Sequence, residues 1–481
     1  MGIKFILVII IVSLILGAST LTRGHEWGDD FASYIMQTKS ILNGTPHEFV
    51  EKNSFTIFES SNQIGPVAYP WGYPLILTPV YFLKEVNPLV LKLPGLFFYA
   101  GFLICLYLLF KNRLTPTDNL LLICLFAFNP LLIQFLDQIL SDIPFLFFST
   151  LALFLITNDD KRNNIHFVLI GIIIFFSFFI RTTGLLLLAS FIILELFKVW
   201  SNRTNRSSIQ EITRNIFVVS STFGVLWILS ILTFPNGGES YLAQYQNFKI
   251  GTVLGFIYSY FQVFSLFFGK SLIWQIVYYV VFVFFLIGVW VRRKEETLFI
   301  IFFSLWMILL ITWPAWQGPR FIFPVLPIFI YLAFRGMKFI FGKLPEKYKQ
   351  ITQWTFYGFW SLIIGVFLFN SVANAYMNLR NDRDINGPFD SYSNEVYKYI
   401  KEETPSNSIV VFFKPRAMRL MTDHDTFMSV ECDRILKGDY LVLSRKVGKN
   451  QQIPPEEIDT CKLPLNEVLK NSRFIVYKIQ K

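Results

Sequence analysis

The sequence predicts an all-α polytopic membrane protein with a small α/β domain at its carboxyl-terminal end. Of its 481 residues, 53% are hydrophobic, 16% are charged and 54 are Phe, whereas a soluble domain has roughly 45–50% apolar and about 25% charged residues. Apolar runs, most of them close to the roughly 17–25 residues that cross a bilayer, recur between residues 3 and 372. After residue 373 the apolar residues come in short bursts, which indicates a separate water-exposed domain.

About eleven membrane spans are predicted from the apolar runs, with an uncertainty of one or two. The semi-apolar stretch 251–269 is ambiguous and could be a re-entrant segment. The predicted spans are residues 3–22, 86–110, 119–136, 143–157, 165–180, 184–200, 215–233, 272–291, 297–313, 321–340 and 353–372.

The positions of Lys and Arg predict the orientation, because short loops rich in these residues stay cytoplasmic. The net charge of +10 is then mainly a topology signal and does not indicate nucleic-acid binding. Residues 1–22 are expected to remain as an uncleaved anchor that stays attached to the site residues behind it. The basic loops are 111–113, 161–162, 198–214, 292–294 and 335–349. The segments predicted to lie outside are 23–85, the turns near 137–142 and 181–183, 234–271, 313–320 and the tail from about 373.

Two domains follow from this pattern: residues 1–372, with a first outer loop at 23–85, and an extracytoplasmic α/β domain at 373–481. Cys432 and Cys461 both fall in the outer tail, where an oxidising compartment would permit a disulfide. In the tail, strands are predicted at 409–413, 440–443 and 474–477, and helices at 391–403, 414–421 and 464–471.

Asp29 and Asp30 form an acidic pair directly behind the first span. Two like charges at the edge of hydrocarbon disfavour joint ionisation, so the pair is a candidate for a tuned acid or base. The alternative is the hydrated start of a loop. The spacing of apolar residues from 31 to 42 predicts a helix along the interface, ended by residues 43–46.

A second acidic pair, Asp137 and Asp142, lies in the short turn between the third and fourth spans. Such a short turn rarely needs two acids, which makes both of them candidates for substrate binding. The segment Ser141-Asp142-Ile143-Pro144 also resembles a helix start, so helix capping is the alternative role.

Two arginines at the outer ends of spans are candidates for binding phosphate. Arg181 follows the fifth span and Arg320 precedes the tenth, and a guanidinium matches phosphate geometry well. Arg320 is the stronger candidate, while snorkelling to the interface is the alternative for Arg181. Tyr73 belongs to the aromatic segment Tyr69-Pro70-Trp71-Gly72-Tyr73-Pro74, which either helps to bind substrate or serves only as an aromatic belt.

At these residues the chain resembles the polyprenyl-phosphate-sugar-dependent glycosyltransferases of the GT-C fold, which include protein O-mannosyltransferases and lipid A aminoarabinose transferases. The resemblance is carried by Gly28-Asp29-Asp30, Ser141-Asp142-Ile143-Pro144, Arg181-Thr182-Thr183-Gly184 and Arg320-Phe321-Ile322-Phe323-Pro324. It implies inverting transfer of a sugar from a polyprenyl-phosphate donor to a hydroxyl of a lipid, glycan or protein.

The resemblance also implies roles for the candidate residues. Asp29 would be the general base or a metal-linked carboxylate, and Asp30 would position the acceptor or the base. The family often has Glu at the second position of the pair, so which of the two acids does the chemistry stays open. Arg320 and Arg181 would neutralise the leaving phosphate, and Asp142 would orient the sugar or support a divalent metal.

Two other functions remain open at this point. A polymerase or ligase for polyprenyl-linked glycans would have a long late outer loop with Arg and His, but residues 313–320 are short. A lipid-linked sugar flippase or transporter would show paired repeats, and no convincing repeat is present. The expected location is the plasma (inner) membrane, with the active site and the carboxyl-terminal domain on the extracytoplasmic side, and the endoplasmic reticulum is the alternative.

Overall fold

The structure is a computed structural model that describes residues 3–62, 64–158, 163–201, 206–237, 250–448 and 450–480. The predicted basic loop at 161–162, residues 202–205 of the basic loop 198–214 and residues 238–249 of the segment 234–271 lie outside these ranges. The helices of the membrane part are α1 (Ile3–Thr20), α2 (Asp30–Asn43), α3 (Pro46–Phe58), α4 (Gly72–Lys84), α5 (Pro88–Leu91), α6 (Leu93–Phe110), α7 (Pro116–Ala127), α8 (Pro130–Leu136), α9 (Asp142–Thr157), α10 (Asn164–Ile180), α11 (Leu185–Ser201), α12 (Arg206–Thr233), α13 (Ile250–Val263), α14 (Leu272–Arg292), α15 (Thr297–Thr312), α16 (Leu326–Gly342) and α17 (Lys349–Arg380).

The predicted polytopic helical fold is confirmed. Within the described ranges, seven helices are long and apolar enough to cross a membrane, and a bent pair, α7 and α8, adds an eighth. Four shorter apolar helices coincide with the remaining predicted runs. The ambiguous stretch after residue 250 is helical as well. The seven long helical segments are Pro88–Phe110, Thr182–Trp200, Ser207–Thr233, Ile250–Phe267, Leu272–Arg292, Pro319–Gly342 and Glu346–Arg380.

The span predicted at 119–136 is broken, and the break shapes the second outer turn. Helices α7 and α8 meet at an angle of 51°. Asn129 caps α8, since its side chain accepts hydrogen bonds from the backbone N–H groups of Leu131 and Leu132 at 3.0 and 3.2 Å. Pro130, the first residue of α8, has no N–H to continue α7. The short α8 then delivers the turn that carries both Asp137 and Asp142.

Helices α14 and α16 are held unusually close by a pair of glycines. A Cβ on Gly288 would lie 1.9 Å from the carbonyl oxygen of Leu332, and a Cβ on Gly336 would lie 1.9 Å from that of Phe284. Small residues permit such close backbone contact in membrane helices. This contact fixes α16, which begins directly after the 3₁₀ turn Pro319–Val325 that carries Arg320.

The carboxyl-terminal part is the predicted α/β domain. Its sheet has the order β2-β1-β3-β5-β4, with β1 parallel to β2 and β3, and β5 antiparallel to β3 and β4. A disulfide joins Cys432 to Cys461. The elements are α18 (Ser391–Glu403), β1 (Ile409–Phe412), α19 (Pro415–Thr422), β2 (Asp425–Phe427), α20 (Cys432–Ile435), β3 (Tyr440–Ser444), β4 (Leu465–Lys470) and β5 (Phe474–Ile479).

One predicted element of this domain is wrong. Residues 464–471 were expected to form a helix, but Leu465–Lys470 is the edge strand β4, paired with β5 through a bulge between Glu467 and Leu469. Strand pairing with a neighbour outweighs the weak local preference of such a short segment.

The carboxyl-terminal domain is docked on the first outer loop. Helix α19 packs against α2 and α3, and the Trp27 ring lies 4.9 Å from the Phe413 ring, centroid to centroid. The loop that carries the first acidic pair is therefore held between the membrane helices and the sheet domain.

Candidate active site

Three of the predicted site residues line one cavity at one end of the helices. Asp30, Arg181 and Arg320 share its wall with Tyr34 and Tyr69, and its volume is about 310 Å³. The rest of the lining is largely apolar and includes Ile180, Leu309, Leu310, Trp313 and Phe321. We call this space the arginine cavity.

Asp30 is the first residue of α2 and receives two strong hydrogen bonds. Its Oδ2 accepts from Arg320 Nη2 at 2.8 Å, and its Oδ1 accepts from the Tyr69 hydroxyl at 2.6 Å. Burial by itself would raise the pKa of Asp30, but the charge of Arg320 and these hydrogen bonds outweigh it and lower the pKa. Asp30 is therefore held as a carboxylate.

Arg320 joins the two acidic segments that the sequence analysis singled out. It lies two residues after Gly318, whose φ of 81° lies in the left-handed region. The backbone of its turn is fixed by Trp306 Nε1, which donates to the carbonyl of Phe321 at 2.7 Å. Besides its contact with Asp30, Arg320 has Nη1 3.7 Å from Asp142 Oδ2.

Arg181 completes a row of alternating charges. It lies at the end of α10 and donates from Nη1 to Asp142 Oδ1, with its guanidinium 4.3 Å from the centroid of the Phe321 ring. The order along the row is Asp30, Arg320, Asp142, Arg181, and we call it the ion chain. Within it, Asp142 Oδ2 is buried and accepts no hydrogen bond.

Asp142 and Arg181 make contacts beyond those that helix capping and snorkelling require. Asp142 follows the capping position of α9, which Ser141 occupies without a side-chain capping bond. Asp142 instead turns its carboxylate to Arg181 and Arg320. Those two arginines are held by carboxylates at the cavity wall, which differs from side chains that merely snorkel to the interface.

Asp29 borders a different space, which lies between the membrane helices and the carboxyl-terminal domain. Its carboxylate accepts a hydrogen bond from the backbone N–H of Ala417, while Oδ1 is buried without a partner. Burial raises the pKa of Asp29 to about 6, although the charges of Arg416 and Lys414 oppose this effect. A carboxyl group with this pKa changes its charge close to neutral pH.

This second space, the interdomain cavity, meets the arginine cavity. Its volume is about 460 Å³, and Asp30 and Arg320 belong to the lining of both cavities. Most of its other polar lining comes from amide and charged side chains, namely Glu26, Asn62, Gln138, Lys414, Asn450 and Gln451.

Asp137 and Tyr73 lie apart from the ion chain. Asp137 Oδ1 lies 2.6 Å from Lys92 Nζ and also accepts from the backbone N–H of Thr22 at 2.6 Å. Tyr73 is buried, and its ring lies edge-on to the Tyr34 ring with 4.8 Å between centroids. Tyr73 therefore supports a cavity-lining residue from behind, and Asp137 has a partner of its own.

Several residues of the site were missed by the sequence analysis. Tyr34 could have been found, because it lies four residues after Asp30 in a predicted helix and so shares its face. His25 joins the two outer turns: its Nε2 accepts from the backbone N–H of Ile139 at 3.0 Å. Burial lowers the pKa of His25 to about 4, which keeps the ring neutral for this contact. No spacing signal pointed to Arg416, which comes from the distant carboxyl-terminal domain.

Two carboxylates of the site are paired with arginine. Asp30 and Asp142 both pair with guanidinium groups. Among the residues the structure describes, no group of three or more His, Cys, Asp or Glu side chains could hold a metal ion. The divalent metal considered from the sequence therefore stays a prediction.

Solved structures with this architecture are membrane glycosyltransferases. ArnT from Cupriavidus metallidurans, with undecaprenyl phosphate bound, aligns with a TM-score of 0.62 at 11% identity, over 99% of this chain and 98% of its own. The apo oligosaccharyltransferase of Archaeoglobus fulgidus aligns with a TM-score of 0.61 at 12% identity, over 100% of this chain and 75% of its own. The chain has the GT-C fold.

A further solved structure that aligns with this chain contains a lipid phosphate. It is the oligosaccharyltransferase AglB from Archaeoglobus fulgidus in complex with an inhibitory peptide and a dolichol-phosphate, with a TM-score of 0.56 at 11% identity over 92% of this chain and 69% of its own. No protein-family model and no curated protein sequence matches the chain. At such low identity the likeness establishes the fold, and the function has to be argued from the site.

Proposed function

We propose that this protein is an inverting membrane glycosyltransferase that moves a sugar from a polyprenyl-phosphate donor to a hydroxyl of a lipid, glycan or protein acceptor. The observation that carries the proposal is the ion chain, in which Arg181, Arg320 and Asp30 line one cavity and the buried Asp142 pairs with both arginines. Two of the structures with this fold contain undecaprenyl phosphate or dolichol-phosphate, which supports a lipid-phosphate donor.

The arginine cavity suits a lipid phosphate in both charge and polarity. Arg181 and Arg320 offer guanidinium groups that bind phosphate oxygens well. In the described structure both arginines are paired with carboxylates, so an incoming phosphate would take over these contacts. The apolar part of the wall, with Leu309, Leu310 and Phe321, suits the first isoprene units of the lipid.

Asp30 is the better placed of the two acids to act as base. It alone of the pair lines both cavities and therefore lies where donor and acceptor would meet. A donor phosphate that takes Arg320 away from Asp30 would raise the basicity of this carboxylate at the moment it is needed. In this proposal the roles expected from the resemblance are exchanged, and Asp29 orients the acceptor from the interdomain cavity.

The reaction is a single displacement. The acceptor oxygen forms a bond to the anomeric carbon while the bond from that carbon to the phosphate oxygen breaks, and the acceptor proton passes to Asp30. The additional negative charge on the departing polyprenyl phosphate is stabilised by Arg320 and Arg181, in a site where such contacts are strong. Attack opposite the leaving group inverts the anomeric configuration.

An extracytoplasmic site in the plasma (inner) membrane is part of the same proposal. A disulfide between Cys432 and Cys461 is typical of an oxidising compartment, and the domain that contains it packs on the loop with the acidic pair. We propose the division into residues 1–372 and 373–481 on the same grounds, although α17 itself runs on to Arg380.

The test is transfer of labelled sugar from extracted polyprenyl-phosphate sugars to endogenous acceptors in membranes that contain the protein. Asp30→Asn should lower the rate by about 10²–10⁴-fold, because loss of a general base has effects of this size. Asp433→Asn, at an exposed residue of the sheet domain, is the matched control and should retain full activity.

Two further results would change the assignment. If Asp30→Asn transfers normally and Asp29→Asn does not, Asp29 is the base. If the wild-type protein transfers no sugar but moves a fluorescent lipid-linked sugar across vesicles, the flippase function replaces the transferase.

A further inference from the structure

Helix α19 of the carboxyl-terminal domain places a fully buried arginine behind the ion chain. Arg416 has 0% of its surface exposed. It donates to the carbonyl oxygen of Pro66, and its Nη1 lies 3.5 Å from the Tyr69 hydroxyl. Its guanidinium also lies 5.4 Å from the centroid of the Tyr69 ring.

Among the residues that the structure describes, no carboxylate forms a direct ion pair with Arg416. Its Nε is buried without a hydrogen-bond partner, and the polar contacts found for it in the described structure are to a carbonyl and a phenol. A buried cation is costly unless nearby negative charge offsets it. The carboxylates that interact with Arg416 are Asp29 and Asp30, so its charge acts on the acidic pair.

A chain of contacts leads from Arg416 to the ion chain. Arg416 contacts the Tyr69 hydroxyl, which donates to Asp30, and Asp30 in turn pairs with Arg320. The backbone around these groups leaves little freedom. A Cβ on Gly65, whose φ is 124°, would lie 2.9 Å from the Tyr69 hydroxyl and 3.2 Å from Arg416 Nη1.

Helix α19 also reaches the other acid of the pair. The residue after Arg416, Ala417, donates its backbone N–H to Asp29. One turn of one helix therefore contacts Asp29 through the backbone and Asp30 through a tyrosine.

We propose that Arg416 is a positioning residue, through which the docked carboxyl-terminal domain orients Tyr69 on Asp30 and places a positive charge beside the acidic pair. The expected effect of Arg416 on sugar transfer rests on the proposed function. Its expected effect on Asp29 and Asp30 rests on the geometry alone. Removal of this one charge is then expected to alter the site without touching a substrate-contacting residue.

Loss of the Arg416 charge should make both acids harder to ionise. Its positive charge lowers the pKa of Asp29 and of Asp30, so Arg416→Gln should raise both. The other titratable or charged groups that face the pair are His25, Tyr34, Tyr69, Arg320, Tyr397 and Lys414. All of these are unchanged in the variant.

The same helix offers a matched control. Arg419 is also buried, with 6% exposure, but it faces away from the site. It contacts Lys52 and Thr56 of α3 and pairs with Asp425 at 3.1 Å. A variant at Arg419 therefore shows what the loss of a buried arginine does to domain docking without a change at the acidic pair.

The experiment is an infrared titration of carboxyl groups in the purified full-length protein in nanodiscs, with Asp29→Asn and Asp30→Asn used to assign the bands. Arg416→Gln should raise the Asp30 midpoint by about one pH unit or more. Arg416→Lys should keep it close to the wild-type value, and Arg419→Gln should leave it unchanged. Tyr69→Phe, which leaves Arg416 in place, should raise the Asp30 midpoint and not that of Asp29.

Transfer measurements separate this inference from the proposed function. In active protein, Arg416→Gln should move the acid limb of the pH profile of kcat/KM upward and lower kcat about tenfold, since it disturbs a hydrogen bond to a charged group. A shifted titration in a protein that transfers no sugar would overturn only the proposed function. Unshifted titrations in Arg416→Gln and Tyr69→Phe, or equal shifts in Arg419→Gln, would overturn the inference.

Discussion

The ion chain and the Lys92–Asp137 pair are two clusters of opposite charge at the same end of the helices, yet they differ in accessibility. Lys92 has no exposed side-chain surface and donates to Thr22, Gly24 and Asp137, so each of its N–H groups is used. In the ion chain, Arg320 and Asp30 are 27% and 26% exposed, and Asp142 retains an oxygen without a hydrogen bond.

The difference indicates which cluster can bind a ligand. The Lys92–Asp137 pair, which we call the closed pair, has all its N–H groups hydrogen-bonded, so breaking it costs free energy. It holds the first loop against the turn after α8. The ion chain faces a cavity and can exchange a carboxylate contact for a phosphate contact with little rearrangement. Asp137 and Asp142 lie five residues apart in the sequence, yet Asp137 belongs to the closed pair and Asp142 to the ion chain.

The largest expected effect is a loss of protein stability when the Lys92–Asp137 pair is broken. Asp137→Asn leaves a buried ammonium without its counter-ion, so it should destabilise the protein by about 3–5 kcal/mol. The folded fraction should keep its transfer activity. Chemical denaturation in detergent micelles gives the first quantity, and activity per folded protein gives the second.

A double variant that removes both charges of the pair should restore stability. Lys92→Met combined with Asp137→Leu removes both charges, and it should recover much of the stability lost in Asp137→Asn. Loss of activity in this double variant at normal stability would assign Asp137 to the substrate site after all.

A somewhat smaller effect is expected in the ion chain, and it concerns activity. Arg320→Gln removes the group that we propose to stabilise the leaving phosphate, so kcat/KM should fall by about 10²–10³-fold. Because Asp30 is partly exposed and Asp142 keeps its contact with Arg181, the unfolding temperature should change little. Initial rates and a melting curve on the same preparation check both statements, and a large drop in melting temperature would make Arg320 structural like Lys92.

The smallest effect concerns Asp29, which is buried like Asp137 but has an unpartnered oxygen. Its folded pKa of about 6 lies above the ordinary value of 3.8, so the folded state holds this proton more tightly than the unfolded state does. The resulting stabilisation is complete below the ordinary value and is lost as the pH rises through about 6.

Asp29→Asn keeps the acceptor for the Ala417 N–H but cannot ionise. It should therefore be more stable than the wild-type protein at pH 8, by at most about 3 kcal/mol, and the difference should vanish near pH 4. Melting curves at these two pH values measure it. The same difference at both pH values would show that the ionisation of Asp29 does not limit stability.

The sequence by itself determined the membrane helices and most of the outer domain. Apolar runs are local, and a run that fills the bilayer must be helical because lipid offers no hydrogen bonds to the backbone. The short bursts at β1, β3 and β5 were equally local signals. The placement of Asp30, Arg181 and Arg320 at helix ends on one side also followed from the sequence.

Only the tertiary structure decided which charges pair. Asp137 pairs with Lys92, and Asp30 pairs with Arg320, because the packing of distant helices brings these groups together. The edge strand β4 and the contact of Arg416 with Tyr69 were decided in the same way, by a neighbour far along the chain. Periodicity reports which face of an element is apolar, but the energy of a buried charge depends on the groups within a few ångströms of it, and those are set by the complete fold.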